Sequence, residues 1–129
     1  MRRAVAISLK IPDNTAYTAL VTLRRLGIDV ARLERSEIVR FADAPEPGAL
    51  VAAVERDESL YNPNKHRVTV LDTDAPRPGE VWIVQDDDDR PVAWRLYVSP
   101  DLPAETAVLA QAAERLLCNP AIEKVLFPT

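Results

Sequence analysis

The stretch from Ala104 to Ile122, AETAVLAQAAERLLCNPAI, constrains the fold most. Val108, Leu109, Ala112, Ala113, Leu116 and Leu117 recur at three- and four-residue steps, which predicts a helix over 104–118 with one apolar stripe. Gln111, Glu114 and Arg115 take the opposite side. Pro103 suits a first helical turn, where its missing N–H costs little. Pro120 stops the helix and pushes Asn119 toward an extended conformation. Lys124, Val125, Leu126 and Phe127 then read as a short last strand. A helix with one apolar stripe needs a layer to lie on.

The rest of the chain offers strands for that layer. Val5, Ile7 and Leu9 alternate with Ala4, Ala6 and Ser8, which predicts a strand. A helix is expected from Thr15 to Leu26, capped by Asn14 or Thr15 and closed by Gly27. Val30 to Ala42 reads as two strands with a tight turn near Arg35-Ser36-Glu37. A proline-rich link, Ala44 to Gly48, leads into a short helix at 49–56. Tyr61 to Lys65 is a turn cluster, and His66 to Leu71 alternates as a strand. After a loop at 72–79, Val81–Gln85 and Val92–Val98 form a hairpin around Asp86 to Pro91. With Gln85 opposite Val92, Val81, Ile83, Trp94, Leu96 and Val98 share one face, and Trp82, Val84, Ala93 and Tyr97 the other. The expected fold is a single α+β domain over 1–129. Its one antiparallel sheet has five or six strands, with two main helices on one face in a ferredoxin-like arrangement.

Composition narrows the function classes. At 129 residues the chain has room for one ordinary domain. Net charge is −4, and Arg24-Arg25 is the nearest approach to a basic cluster, so no nucleic-acid partner is expected. One cysteine excludes an intrachain disulfide and a cysteine-rich metal site. The N-terminus begins with two arginines like a signal sequence, but it alternates and meets Lys10 before a long apolar run forms. No stretch approaches the roughly 20 apolar residues of a membrane span. A cytoplasmic protein with no membrane partner is expected.

Candidate chemistry is sparse. Asp86 to Asp89 could hold a divalent cation, but four adjacent acids at a hairpin tip read as a solvated turn. His66, the single histidine, has no base partner identifiable from spacing. Cys118 falls beside the apolar stripe and reads as a small buried residue rather than a reactive thiol. Asp72 and Asp74 could pair as an acid/base couple, although the neighbouring Pro and Gly favour a loop role. No catalytic, cofactor or metal residue is assigned. Trp82, Val84 and Tyr97 share a face whose aromatic content suits a self-association or partner surface, unless another helix of the chain covers it.

Leu116-Leu117-Cys118-Asn119-Pro120-Ala121-Ile122-Glu123 resembles the helix exit of the PurS family, the small subunit of phosphoribosylformylglycinamidine synthase. Leu117, Asn119, Pro120 and Ile122 carry the motif. Leu26-Gly27 and Val30-Ala31-Arg32-Leu33 stand where that family has a helix end and a hairpin. The resemblance covers roughly residues 4–42 and 107–127, with 44–100 as an insertion. Ser36-Glu37 stands where the family usually has Gly-Lys, so an acid replaces a cation. The resemblance implies a non-catalytic accessory subunit of a glutamine-dependent, ATP-dependent amidoligase. It would bridge glutaminase and synthetase subunits that make the amidine of formylglycinamide ribonucleotide. It implies no cofactor in this chain. The alternatives are an oligomeric small-molecule-binding or regulatory module, and an enzyme using His66 with nearby acids.

Overall fold

The computed structural model describes residues 3–41, 46–85 and 90–128. In chain order the elements are β1 (Arg3–Leu9), α1 (Asn14–Arg25), β2 (Arg32–Phe41), α2 (Pro47–Glu55), β3 (His66–Leu71), β4 (Glu80–Gln85), β5 (Val92–Ser99), β6 (Leu102–Pro103), α3 (Thr106–Ala112) and β7 (Glu123–Leu126). The strands form one antiparallel sheet in the order β3-β1-β2-β5-β4-β7, with β6 paired to β5 off that path. The α+β class and the single open sheet expected from the sequence are present.

Strand register sets the layers. Val5 pairs with Val39, Leu33 with Leu96, and Val81 with Trp94, so these residues share one face of the sheet. Every helix packs on that face. Leu23 of α1 and Leu109 and Ala112 of α3 meet Val81, Ile83 and Leu96 in one buried cluster. Leu50 and Val54 of α2 meet Val5 and Ile7 in a second. Burying each such side chain contributes about 2 kcal/mol. Ala4, Ala6, Ile38, Trp82 and Ala93 lie on the opposite face. Trp82 packs across these mostly small residues without any helix above it among the described residues.

Four expectations about strand continuity, topology and helix starts are corrected. First, β2 is one continuous strand; no turn occurs at Arg35-Ser36-Glu37. Its C-terminal half pairs with β1 and its N-terminal half with β5, so one long strand joins two staggered half-sheets. The segment holds no Gly, Pro or Asn to supply a turn, and Ser36 instead pairs with Ala93. Second, β1 and β2 are antiparallel neighbours, so the parallel crossover of a ferredoxin-like split βαβ unit is not formed. Third, the cap of α1 is Asp13, whose Oδ1 accepts from Ala16 N at 3.1 Å. A carboxylate there satisfies a free N–H and suits the helix dipole. Fourth, Pro103 belongs to β6 and α3 begins at Thr106.

In the hairpin of β4 and β5, Val92 faces Ile83 rather than Gln85. The shift is two residues, so the expected faces survive. The acidic run Asp86–Asp89 lies outside the described residues.

The C-terminal end of α1 is closed as its sequence implied. Gly27 has φ +84°, Gly27 N donates to Arg24 O and Ile28 N to Leu23 O, each at 3.0 Å. This is the paired bonding of a Schellman motif, and Ile28 and Leu23 share a core cluster. Arg24 then donates to Val30 O at 2.8 Å and Ala31 O at 3.0 Å, fixing where β2 begins.

Candidate functional site: the groove between the first and last helices

The last helix does not run to Cys118 as a regular α-helix. After Ala112 it widens into a π-turn, Ala113–Leu117, closed by a bond from Cys118 N to Ala113 O at 2.9 Å. The added residue per turn rotates the apolar stripe. Leu117 stays buried, while Leu116 is 39% exposed. Such widened turns are rare and recur at functional sites.

The exit is locked by its own side chains. Asn119 N donates to Glu123 Oε1 at 2.8 Å, and Ala121 N donates to Asn119 Oδ1 at 3.1 Å. Glu123 N and Ile122 N both return to Asn119 O. The Asn-Pro-Ala-Ile-Glu run is therefore a self-capped turn that delivers the chain to β7. Ile122 stands 55% exposed on it. Cys118 is partly buried, and its thiol pKa is pushed up first by burial and then by the Glu123 carboxylate.

Between this helix and α1 lies an open groove of about 470 Å³. Asn14, Thr15, Thr18, Ala19 and Thr22 line one wall, Leu116 and Leu117 the other, with Trp94 from β5 between them. Thr15, Thr18 and Thr22 recur at helical spacing, which places them on one side of α1. Thr22 spends its hydroxyl on Thr18 O at 2.8 Å. The size falls within the range of small-molecule sites. The sequence places Trp94 on one face with Val81, Ile83, Leu96 and Val98, but it does not single out this groove, because the groove forms between distant segments.

The other sequence candidates separate. Trp82 is fully buried and Tyr97 is 7% exposed, so neither ring stands free in the monomer; Val84 is half-buried. The loop between β3 and β4 and arginines on the strands meet this face. Arg40 lies 5.0 Å from the Trp82 ring centroid and pairs with Asp74 at 3.0 Å. Arg32 lies 3.9 Å from the Tyr97 ring centroid. Burial, then the Glu34 charge, raises the Tyr97 pKa, while Arg95 and Arg32 oppose. Asp74 is thus engaged with Arg40, and Asp72 is exposed.

His66 does gain polar neighbours. With Ser8, Asp13, Arg35, Ser36 and Glu37 it lines a small cavity of about 70 Å³. Asp13 and Arg35 are already paired at 3.0 Å. His66 Nδ1 accepts from Asn62 N at 2.9 Å, which assigns the proton of the neutral ring to Nε2. The acceptor nitrogen that a general base needs is therefore engaged in holding the turn before β3. No group of three or more metal-ligating side chains occurs among the described residues. No helix there is long and apolar enough to cross a membrane. No family model matches the sequence, and no curated protein matches it.

Proposed function

We propose that this chain is a PurS-like accessory subunit, one that bridges glutaminase and synthetase subunits of phosphoribosylformylglycinamidine synthase without an active site of its own. The observation that carries the reading is the exit Leu116–Glu123. Its family-like residues build a self-capped turn that holds Ile122 out toward solvent, and the wide turn just before it holds Leu116 outward. A bridging subunit needs a rigid contact element of this kind. The hairpin part of the resemblance is absent because β2 is continuous, so the reading rests on the exit. Strands β3 and β7 end the strand order and have no further strand beside them among the described residues, which supports a homo-oligomer. Affinity co-purification from the source lysate with glutamine and Mg-ADP tests the reading. Recovery of a glutaminase and a large synthetase subunit supports it; recovery of this chain alone contradicts it.

A second reading, an oligomeric ligand-binding or regulatory module, is favoured by one specific feature: the groove beside Trp94 has the volume of a small-molecule site. A metabolite-dependent rise in melting temperature tests it.

A further inference from the structure

The groove between α1 and the π-turn carries unused bonding capacity. The Trp94 ring is partly exposed, and its Nε1–H donates to no group among the described residues, whereas the Trp82 indole is engaged with Glu80 at 3.0 Å. The hydroxyls of Thr15 and Thr18 and the side-chain amide of Asn14 likewise have no partner there. These polar atoms sit beside apolar walls from Leu116 and Leu117. Among the described residues no charged side chain lines the groove, although the Arg35 guanidinium lies 6.0 Å from the Trp94 ring centroid.

That combination selects a chemistry. An uncharged lining gives no return for desolvating a charged ligand, so the occupant is neutral in the groove. An indole face and leucine walls favour a flat ring, through stacking and apolar burial. A donor-only indole N–H together with hydroxyl and amide groups calls for a ring edge that both accepts and donates hydrogen bonds. The wide turn at Ala113–Leu117 is what turns Leu116 outward at the groove.

We infer that this groove binds a neutral, planar heteroaromatic molecule, stacked against Trp94 and hydrogen-bonded by the threonine side of α1. The inference deepens the ligand-binding reading above and rests on it.

The chain has two tryptophans, so indole ¹⁵N labelling gives two N–H signals, assigned with Trp94→Phe. Quinazolin-4-one, a neutral bicyclic lactam, is the probe, and quinoline-4-carboxylate is its charged counterpart of equal ring size. The expected result is a saturable shift of the Trp94 signal with quinazolin-4-one and an unmoved Trp82 signal. Binding should weaken at least tenfold for Thr18→Arg, an exposed position, and at least tenfold for the carboxylate. No Trp94 shift at millimolar probe overturns the inference, and so does equal binding of the carboxylate. Saturable binding unchanged by Thr18→Arg overturns the groove assignment while leaving the ligand-binding reading standing. A metabolite screen with no melting shift, together with a silent Trp94 signal, removes both.

Discussion

The Trp82 indole Nε1–H donates to Glu80 Oε1 at 3.0 Å, with both side chains fully buried. Two residues apart on β4, they share a face of the strand. Arg77 completes the site: its Nη2 donates to Glu80 Oε2 at 2.7 Å, and its backbone N donates to Oε1 at 2.9 Å. The carboxylate is thus neutralised and hydrogen-bonded, which lets a tryptophan close a sheet face that no described helix covers. Removing the carboxylate leaves the Trp82 N–H buried and unsatisfied and takes the counter-charge from Arg77, whose side chain is partly exposed. Glu80→Ala is expected to cost about 3 kcal/mol in urea unfolding, with Glu80→Gln milder because it keeps an acceptor for Trp82. A loss below about 1 kcal/mol for Glu80→Ala contradicts this account.

Gly79 and Gly27 both have positive φ, but they differ in surroundings. A Cβ at Gly79 would lie 2.7 Å from Pro103 Cβ and 2.8 Å from Leu96 O; one at Gly27 meets nothing within 4 Å. Gly27→Ala is expected to cost about 1 kcal/mol, the left-handed penalty alone. Gly79→Ala adds a clash between the β3–β4 loop and β6, so its melting temperature should fall clearly below that of Gly27→Ala. Equal melting temperatures would show that β6 yields freely.

Cys118 should alkylate slowly. Its raised pKa means that the thiolate forms only above the ordinary value of 9.0. Iodoacetamide rates against pH should therefore have a midpoint shifted upward. Glu123→Gln keeps an oxygen for Asn119 N but removes the charge, moving the midpoint part of the way back. The sign for stability follows: a folded pKa above the unfolded one gives stability that is full below the unfolded pKa and lost as pH rises through the folded one. An unshifted midpoint would place the thiol in open solvent.

Tyr97 should titrate above the ordinary tyrosine range in a spectrophotometric titration. Burial and then the Glu34 charge raise the Tyr97 pKa. Glu34→Gln should bring Tyr97 down, and Arg95→Gln should push it further up. Movement in the opposite directions would contradict the packing of Arg32 and Arg95 on this ring.

Local chemistry made much of the fold legible. Gly27 marked the end of α1, alternation gave β3 from His66 to Leu71, and period-two patterning gave the faces of β4 and β5 despite a two-residue register shift. What local pattern could not show was tertiary. Arg35-Ser36-Glu37 looked like a turn because polar residues interrupt the apolar run, yet pairing partners on both sides keep β2 extended. Leu116 fits an apolar stripe by spacing and is exposed only because Cys118 N reaches back five residues to Ala113. The groove joins residues 14–22, 94 and 116–117, which no local window connects.

The proposed bridging role rests on the exit turn Leu116–Glu123. Co-purification with glutamine and Mg-ADP, comparing wild type with Leu116→Asp and Ile122→Asp, tests it most directly. Wild type should recover a glutaminase and a large synthetase subunit, and either variant should lose at least one of them while keeping the wild-type melting temperature. Wild type recovered alone, or both subunits retained by both variants, would contradict it.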